Sequence, residues 1–251
     1  MKEYVQRLKD NCPKRRFAFW WIFRLLMVYA FVAGFFKKPF DITDPLQVGA
    51  NLVAMFAWEI LMLCSPKRVF RYMPSVVQTF SILIVFAASF CGKFLNFYYD
   101  IRLWDAALHF LGGAGCVFLG YEFACALIKR DKKDASLSMV LLAAVGFSFI
   151  GATAWELFEF TFDQVAGMMS GYPGDSQHWS LLLALDTAKA VTLFDPIVPE
   201  RWPIMDIMGD IVLNTVGALV AYIFLKLVPY RHKGRFKFDF DFAQERETVN
   251  V

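Results

Sequence analysis

Asp105 and His109 stand four residues apart, Glu156 and Glu159 three apart, and Asp206, Asp210 and Asn214 repeat every four. On a helix that turns 100° per residue, each set falls on one face. Each set also lies at the end of a long apolar run, where acids are expensive. An Asp at the centre of a membrane helix costs roughly 2.5–3.5 kcal/mol on insertion scales. Carboxylates gathered at one depth therefore need neutralising, either by protonation or by a bound cation. An oxygen-rich set suits Mg²⁺, Mn²⁺ or Ca²⁺, and the single histidine admits Zn²⁺. The candidate metal ligands are thus Asp105, His109, Glu156, Glu159, Asp206, Asp210 and Asn214. A metal here would polarise a phosphoryl oxygen and activate water, with His109, Glu156 or Asp210 as catalytic acid or base. No serine or cysteine has an obvious activating partner on the polar face.

Membrane spans are the elements that must position these residues. The chain is 58% hydrophobic over 251 residues, too apolar for an ordinary soluble domain, and its apolar runs are separated by polar breaks. The expected fold class is all-α, a polytopic bundle of six transmembrane helices over 17–36, 46–64, 74–92, 103–128, 137–162 and 204–227. Each is long enough to cross a hydrocarbon core of ~30 Å at 1.5 Å per residue. The expected organisation is a basic arm (1–16), the six-helix domain (17–228) and a tail (229–251). The first run follows Lys14, Arg15 and Arg16 and is long for a cleaved signal, which reads as an uncleaved anchor.

Most of the 26 lysines and arginines fall in the arm, the 65–73 loop, the 129–136 loop and the segment from Lys226 onward. The alternate loops hold Lys37, Lys38, Lys93, Arg102, Lys189 and Arg201. This bias places both termini in the cytoplasm. The acidic sets then share the outer part of the membrane, which separate snorkelling residues need not do. Asp105 and Asp206 are alternatively helix caps, whereas Glu156 and Glu159 are expected at a helix C-terminus, where the dipole disfavours negative charge. Gly112, Cys116 and Gly120 continue the Asp105–His109 stripe, and Gly217 and Ala221 continue the Asp206 row, so small residues would let these helices approach closely. Glu59 and Glu122 lie toward the inner side; each reads as a snorkelling residue or a partner of Arg24, Lys67 or Lys129, or alternatively as a relay residue. The 175–195 segment is apolar but short, which suits a re-entrant or interfacial helix lying over the site, or an ordinary loop helix. The five cysteines show no paired framework and no metal-ligand spacing, and no basic motif points to nucleic acid.

With Trp104-Asp105-Ala-Ala-Leu-His109-Phe110, Trp155-Glu156-Leu-Phe-Glu159 and Asp206-Ile-Met-Gly-Asp210-Ile-Val-Leu-Asn214-Thr-Val-Gly217, the chain resembles the VanZ-like membrane proteins and the related family typified by YjdF. Ala106 and Glu159 depart from the VanZ-like pattern, where a base and a glutamine are common; the extra carboxylate resembles the YjdF side. The resemblance covers about 105–217. It implies a multi-pass protein of the bacterial inner (plasma) membrane, with some relatives linked to glycopeptide tolerance. The expected function is a metal-dependent hydrolase or transferase acting on a lipid (phospho) headgroup or a lipid-linked envelope intermediate. The alternatives are a cation- or proton-coupled transporter and a non-catalytic lipid-binding accessory protein. The expected partner is a membrane lipid or lipid-linked substrate; the sequence specifies no oligomeric state.

Overall fold

The computed structural model of the chain describes residues 12–38, 40, 42–57, 59–60, 74–131, 135–170 and 202–228. The elements are α1 (Lys14–Gly34), α2 (Thr43–Ala54), α3 (Ser75–Phe86) running on into a π-helical segment (Ala87–Phe94), the one-turn α4 (Phe97–Asp100), α5 (Trp104–Asp131), α6 (Leu137–Ser170) and α7 (Trp202–Leu227). There is no strand among the described residues. Among the described residues, five helices are long and apolar enough to cross a membrane: Lys14–Gly34, Ser75–Phe94, Trp104–Asp131, Leu137–Thr161 and Met205–Leu227. Pro13 and Pro74 precede α1 and α3 with extended ψ values of 138° and 153°. A proline there gives up no helical hydrogen bond.

The helices are apolar outside as well as in. On α1, Ile22, Leu25, Tyr29 and Val32 are exposed while Trp20, Arg24, Met27 and Ala30 are buried. That is the pattern of a helix with one face toward lipid, where packing rather than hydrophobicity draws helices together. Two cores result. Trp20, Met27, Val48, Met55 and Ile82 join α1, α2 and α3, with Phe23, Phe86 and Phe90 packed against them. Val117, Tyr121, Leu141, Ala144, Ala218 and Leu225 join α5, α6 and α7. Ser148 Oγ on α6 donates to the Gly113 carbonyl of α5 at 2.9 Å, a buried polar tie between two of the helices that carry the acids.

The second expected span, 46–64, is described as the shorter α2 followed by a turn at Met55–Phe56, with a helical turn resuming before Ile60. The Met55 carbonyl at this break accepts a hydrogen bond from Arg24 Nη2 at 2.7 Å, and Arg24 Nη2 also lies 2.6 Å from Glu59 Oε1. The expected Arg24–Glu59 pairing is therefore present. Residues 61–73 lie outside the described residues, as do residues 1–11 of the basic arm, the 175–195 segment, the 229–251 tail and Cys64. The four described cysteines, Cys12, Cys91, Cys116 and Cys125, form no disulfide.

Candidate functional site

Two helix ends and one helix interior bring the acids together. Asp105 is in the first turn of α5, where a carboxylate suits the dipole. The capping alternative does not hold for Asp206: α7 begins at Trp202, with no acid in its first turn. Pro203 lies inside that first turn rather than beyond the helix, a position that needs no donor. The dipole argument about Glu156 and Glu159 is corrected. Helix α6 does not stop at the edge of its apolar stretch but continues to Ser170, so Glu159 sits about three turns and Glu156 about four turns inside it. Nothing in the local residues ends the helix there: the lone Gly167 is carried within it, and the first cluster of breakers is Gly171, Pro173 and Gly174.

His109 is the hub. Its Nε2 lies 3.6 Å from Asp105 Oδ1 on its own helix and 3.5 Å from Asp210 Oδ2 on α7. Its Nδ1 lies 3.8 Å from Glu156 Oε1 on α6. These separations are too long for good hydrogen bonds. One ligating atom each from Asp105, His109 and Asp210 lies within 4.8 Å of the others, and the same holds for His109, Glu156 and Glu159. The imidazole side chain is 10% exposed and that of Asp210 6%. Asp206 and Asn214 belong to neither triad but flank Asp210 by one turn on each side, and all three are buried. The row continues into buried Gly217, Ala218 and Ala221, so one face of α7 carries both the acids and the packing surface.

Asn214 also borders a cavity of about 140 Å³ shared by α3, α5 and α6. Its Nδ2 is buried and has no hydrogen-bond partner. Asp105 and His109 line the same cavity, together with Gly112 and Cys116 from the stripe seen in the sequence. That stripe divides its duties. Gly112 faces open space, Gly120 packs on Ala144 and Phe147 of α6, and the close approach to α7 is made by Gly113, a residue outside the stripe.

Tyr98 was not foreseen. It lines the cavity from α4, its ring lying against Gly92 where any side chain would collide. Burial, then the charges of Asp105, Glu159 and Asp210, push its phenol well above the usual value, so it stays a neutral donor. Two features place it. The π-helical turn, closed by Leu95 N–H donating to the Phe90 carbonyl at 2.9 Å, shifts the phase of everything after it. Asn96, at φ 68°, and Leu103, at φ 64°, then take left-handed backbone on either side of α4. Asparagine adopts this readily, but leucine does so at a cost. A π-turn gives no periodic signal, so only the polar Asn96–Tyr98 break between apolar runs hinted at this element.

Residues 18–231 match the model of a family described as "Predicted membrane protein (DUF2238)". A protein of Thermotoga maritima, described as an uncharacterized protein, is 33% identical over 81 residues, which is 32% of this chain. The match spans 41% of that relative's length. No solved structure matches the chain.

Proposed function

The chain belongs to the predicted membrane protein family DUF2238, and from the geometry of its acidic cluster we propose that it is a membrane enzyme that holds a divalent cation there and cleaves or transfers a phosphoryl group on a lipid headgroup. The observation that carries this reading is the placement of His109 among carboxylates from three helices at 3.5–3.8 Å. Two ligands about 2.1 Å from one ion at a tetrahedral angle stand about 3.4 Å apart. At about 2.4 Å and a right angle the separation is again about 3.4 Å. Asp105 and Asp210 are thus spaced from the Nε2 of His109 as neighbours in one coordination shell rather than as hydrogen-bonded pairs. Asp105, the Nε2 of His109 and Asp210 would hold the ion, with Glu159, Asp206 and Asn214 as further candidates. When bound, the cation supplies charge stabilisation for a phosphoryl oxygen and a lowered pKa for water. Glu156 faces the other ring nitrogen at 3.8 Å, so its charge would favour the tautomer with the proton on Nδ1. Tyr98 offers a neutral hydroxyl to the same space.

Around this site we place six spans with both termini in the cytoplasm, an outward-facing cluster and a bacterial inner membrane. The charge bias of the loops and the likeness to VanZ-like and YjdF-like sequences support that placement. The transport alternative is disfavoured by the inner acid Glu59, which is tied to Arg24 rather than open to a path. The experiment is Asp210→Asn, which keeps the shape and removes a charge. Loss of outer partners of a metal site typically costs 10–100-fold in affinity, so loss of a direct ligand should cost at least about 100-fold, measured by calorimetry with Mn²⁺. Chelation should abolish any phosphate release from lipid in the wild type. A wild-type protein that binds no divalent ion, or an activity indifferent to chelators, would remove the proposal.

A further inference from the structure

The cavity beside His109 has two kinds of wall. Asp105, His109 and Asn214 form a polar rim, while Ile84, Val85 and Leu108 are apolar. Asn214 is 5% exposed, and its Nδ2 has no hydrogen-bond partner. An amide nitrogen is a donor, so what it lacks is an acceptor oxygen, not a cation. Leaving such a donor unmade in a buried place is costly, and a ligand oxygen would satisfy it. Apart from Tyr98, Cys116 and Trp155, the remaining walls offer that ligand van der Waals contact alone. Along one side they are also kept small: Gly112 meets nothing within 4 Å of where a Cβ would stand, and Gly151 faces only Cys116, whose Sγ lies 3.1 Å away.

We propose that this chamber seats the first carbons of a membrane lipid's hydrocarbon chain, with the oxygen-bearing end of the same lipid at Asn214 Nδ2 and the acidic rim. This rests on the lipid-phosphate reading above and adds a chain-length rule to it. The volume, about 140 Å³, is close to that of an engineered apolar cavity that accepts benzene, so the chamber takes on the order of six carbons and not a whole acyl tail. The rest of the chain lies outside it.

Gly112 supplies the test, because it lines the chamber and a Cβ there meets nothing within 4 Å. The protein is reconstituted in phosphatidylcholine nanodiscs, with empty discs as the blank. Binding of inorganic phosphate and of butyl, hexyl, octyl and decyl phosphate is measured with and without Mn²⁺. In the wild type, affinity should rise about fourfold per methylene and flatten near hexyl. Gly112→Phe should abolish the rise while leaving Mn²⁺ and inorganic phosphate binding unchanged. Gly112→Val, the smaller change, should flatten the rise one or two methylenes earlier, which keeps the test alive if the phenylalanine variant misfolds. A rise in Gly112→Phe or Gly112→Val equal to that of the wild type would overturn the inference. A wild-type protein that ignores Mn²⁺ yet shows the Gly112-sensitive rise would instead sink the metal-enzyme reading and leave the chamber standing.

Discussion

Gly217→Ala should be among the most damaging single substitutions in this protein. A Cβ at Gly217 would strike the Phe110 carbonyl oxygen of α5, and it would stand 3.0 Å from the Phe110 carbonyl carbon and 3.1 Å from Ala114 N. Gly113 is its counterpart: a Cβ there would collide with the Asn214 carbonyl of α7 and stand 2.8 Å from the Asn214 Cα. Backbone, not a flexible side chain, is the obstacle on both sides, so the helices must separate. Overpacking of this kind typically costs 1–3 kcal/mol and sometimes more. In a membrane the helices have little beyond close packing and hydrogen bonds to hold them. The separation also moves Asp210 away from His109. Gly217→Ala and Gly113→Ala should therefore lower the unfolding midpoint in detergent and weaken divalent-cation binding together. Gly112→Ala, on the same helix but facing open space, should do neither. Equal stability for Gly113→Ala and Gly112→Ala would mean that α5 and α7 do not cross where the structure has them.

The second large effect lies in the other core. Arg24 is the central residue of α1, and its side chain is 2% exposed while that of Glu59 is 17% exposed. Besides Glu59, the guanidinium reaches the Met55 carbonyl at 2.7 Å and stacks 4.1 Å from the centre of the Phe56 ring. Removing one partner of such a pair leaves an uncompensated buried charge, at about 3–5 kcal/mol, whereas replacing both with apolar residues is often nearly neutral. Arg24→Met should destabilise the protein by that order in SDS titration, and Arg24→Met with Glu59→Met should recover most of the loss. A double variant no better than the single would show that the Met55 and Phe56 contacts, not the ion pair, dominate.

The sequence made the acidic row of α7 legible because its period of four coincides with small residues, so acids and packing surface fall on one buried face. His109 and Asp105 were legible for the same reason. The glycines were harder. Gly112 and Gly113 are adjacent, 100° apart, and α5 has neighbours on several sides, so periodicity could not say which glycine faced the cavity and which faced α7. The length of α6 was misjudged because hydropathy marks where lipid ends, not where hydrogen bonding ends: the apolar stretch closes at Phe162, before Asp163, and the helix at Ser170. The break after α2 depends on a long-range bond from Arg24, invisible to any local rule. Tyr98 follows a π-turn, which resets the helical phase that the reading relied on.

The central claim is that an imidazole from α5 and carboxylates from α5 and α7 hold one cation. Pulsed electron paramagnetic resonance of Mn²⁺ bound to the bilayer-reconstituted protein tests it most directly, because a coordinated imidazole imprints its nitrogen coupling on the metal signal. The predicted result is a nitrogen-coupled Mn²⁺ signal in the wild type that disappears in His109→Gln, with binding also lost in Asp210→Asn. A Mn²⁺ signal no stronger than that of empty discs, or one without nitrogen coupling and unchanged by His109→Gln, would contradict it.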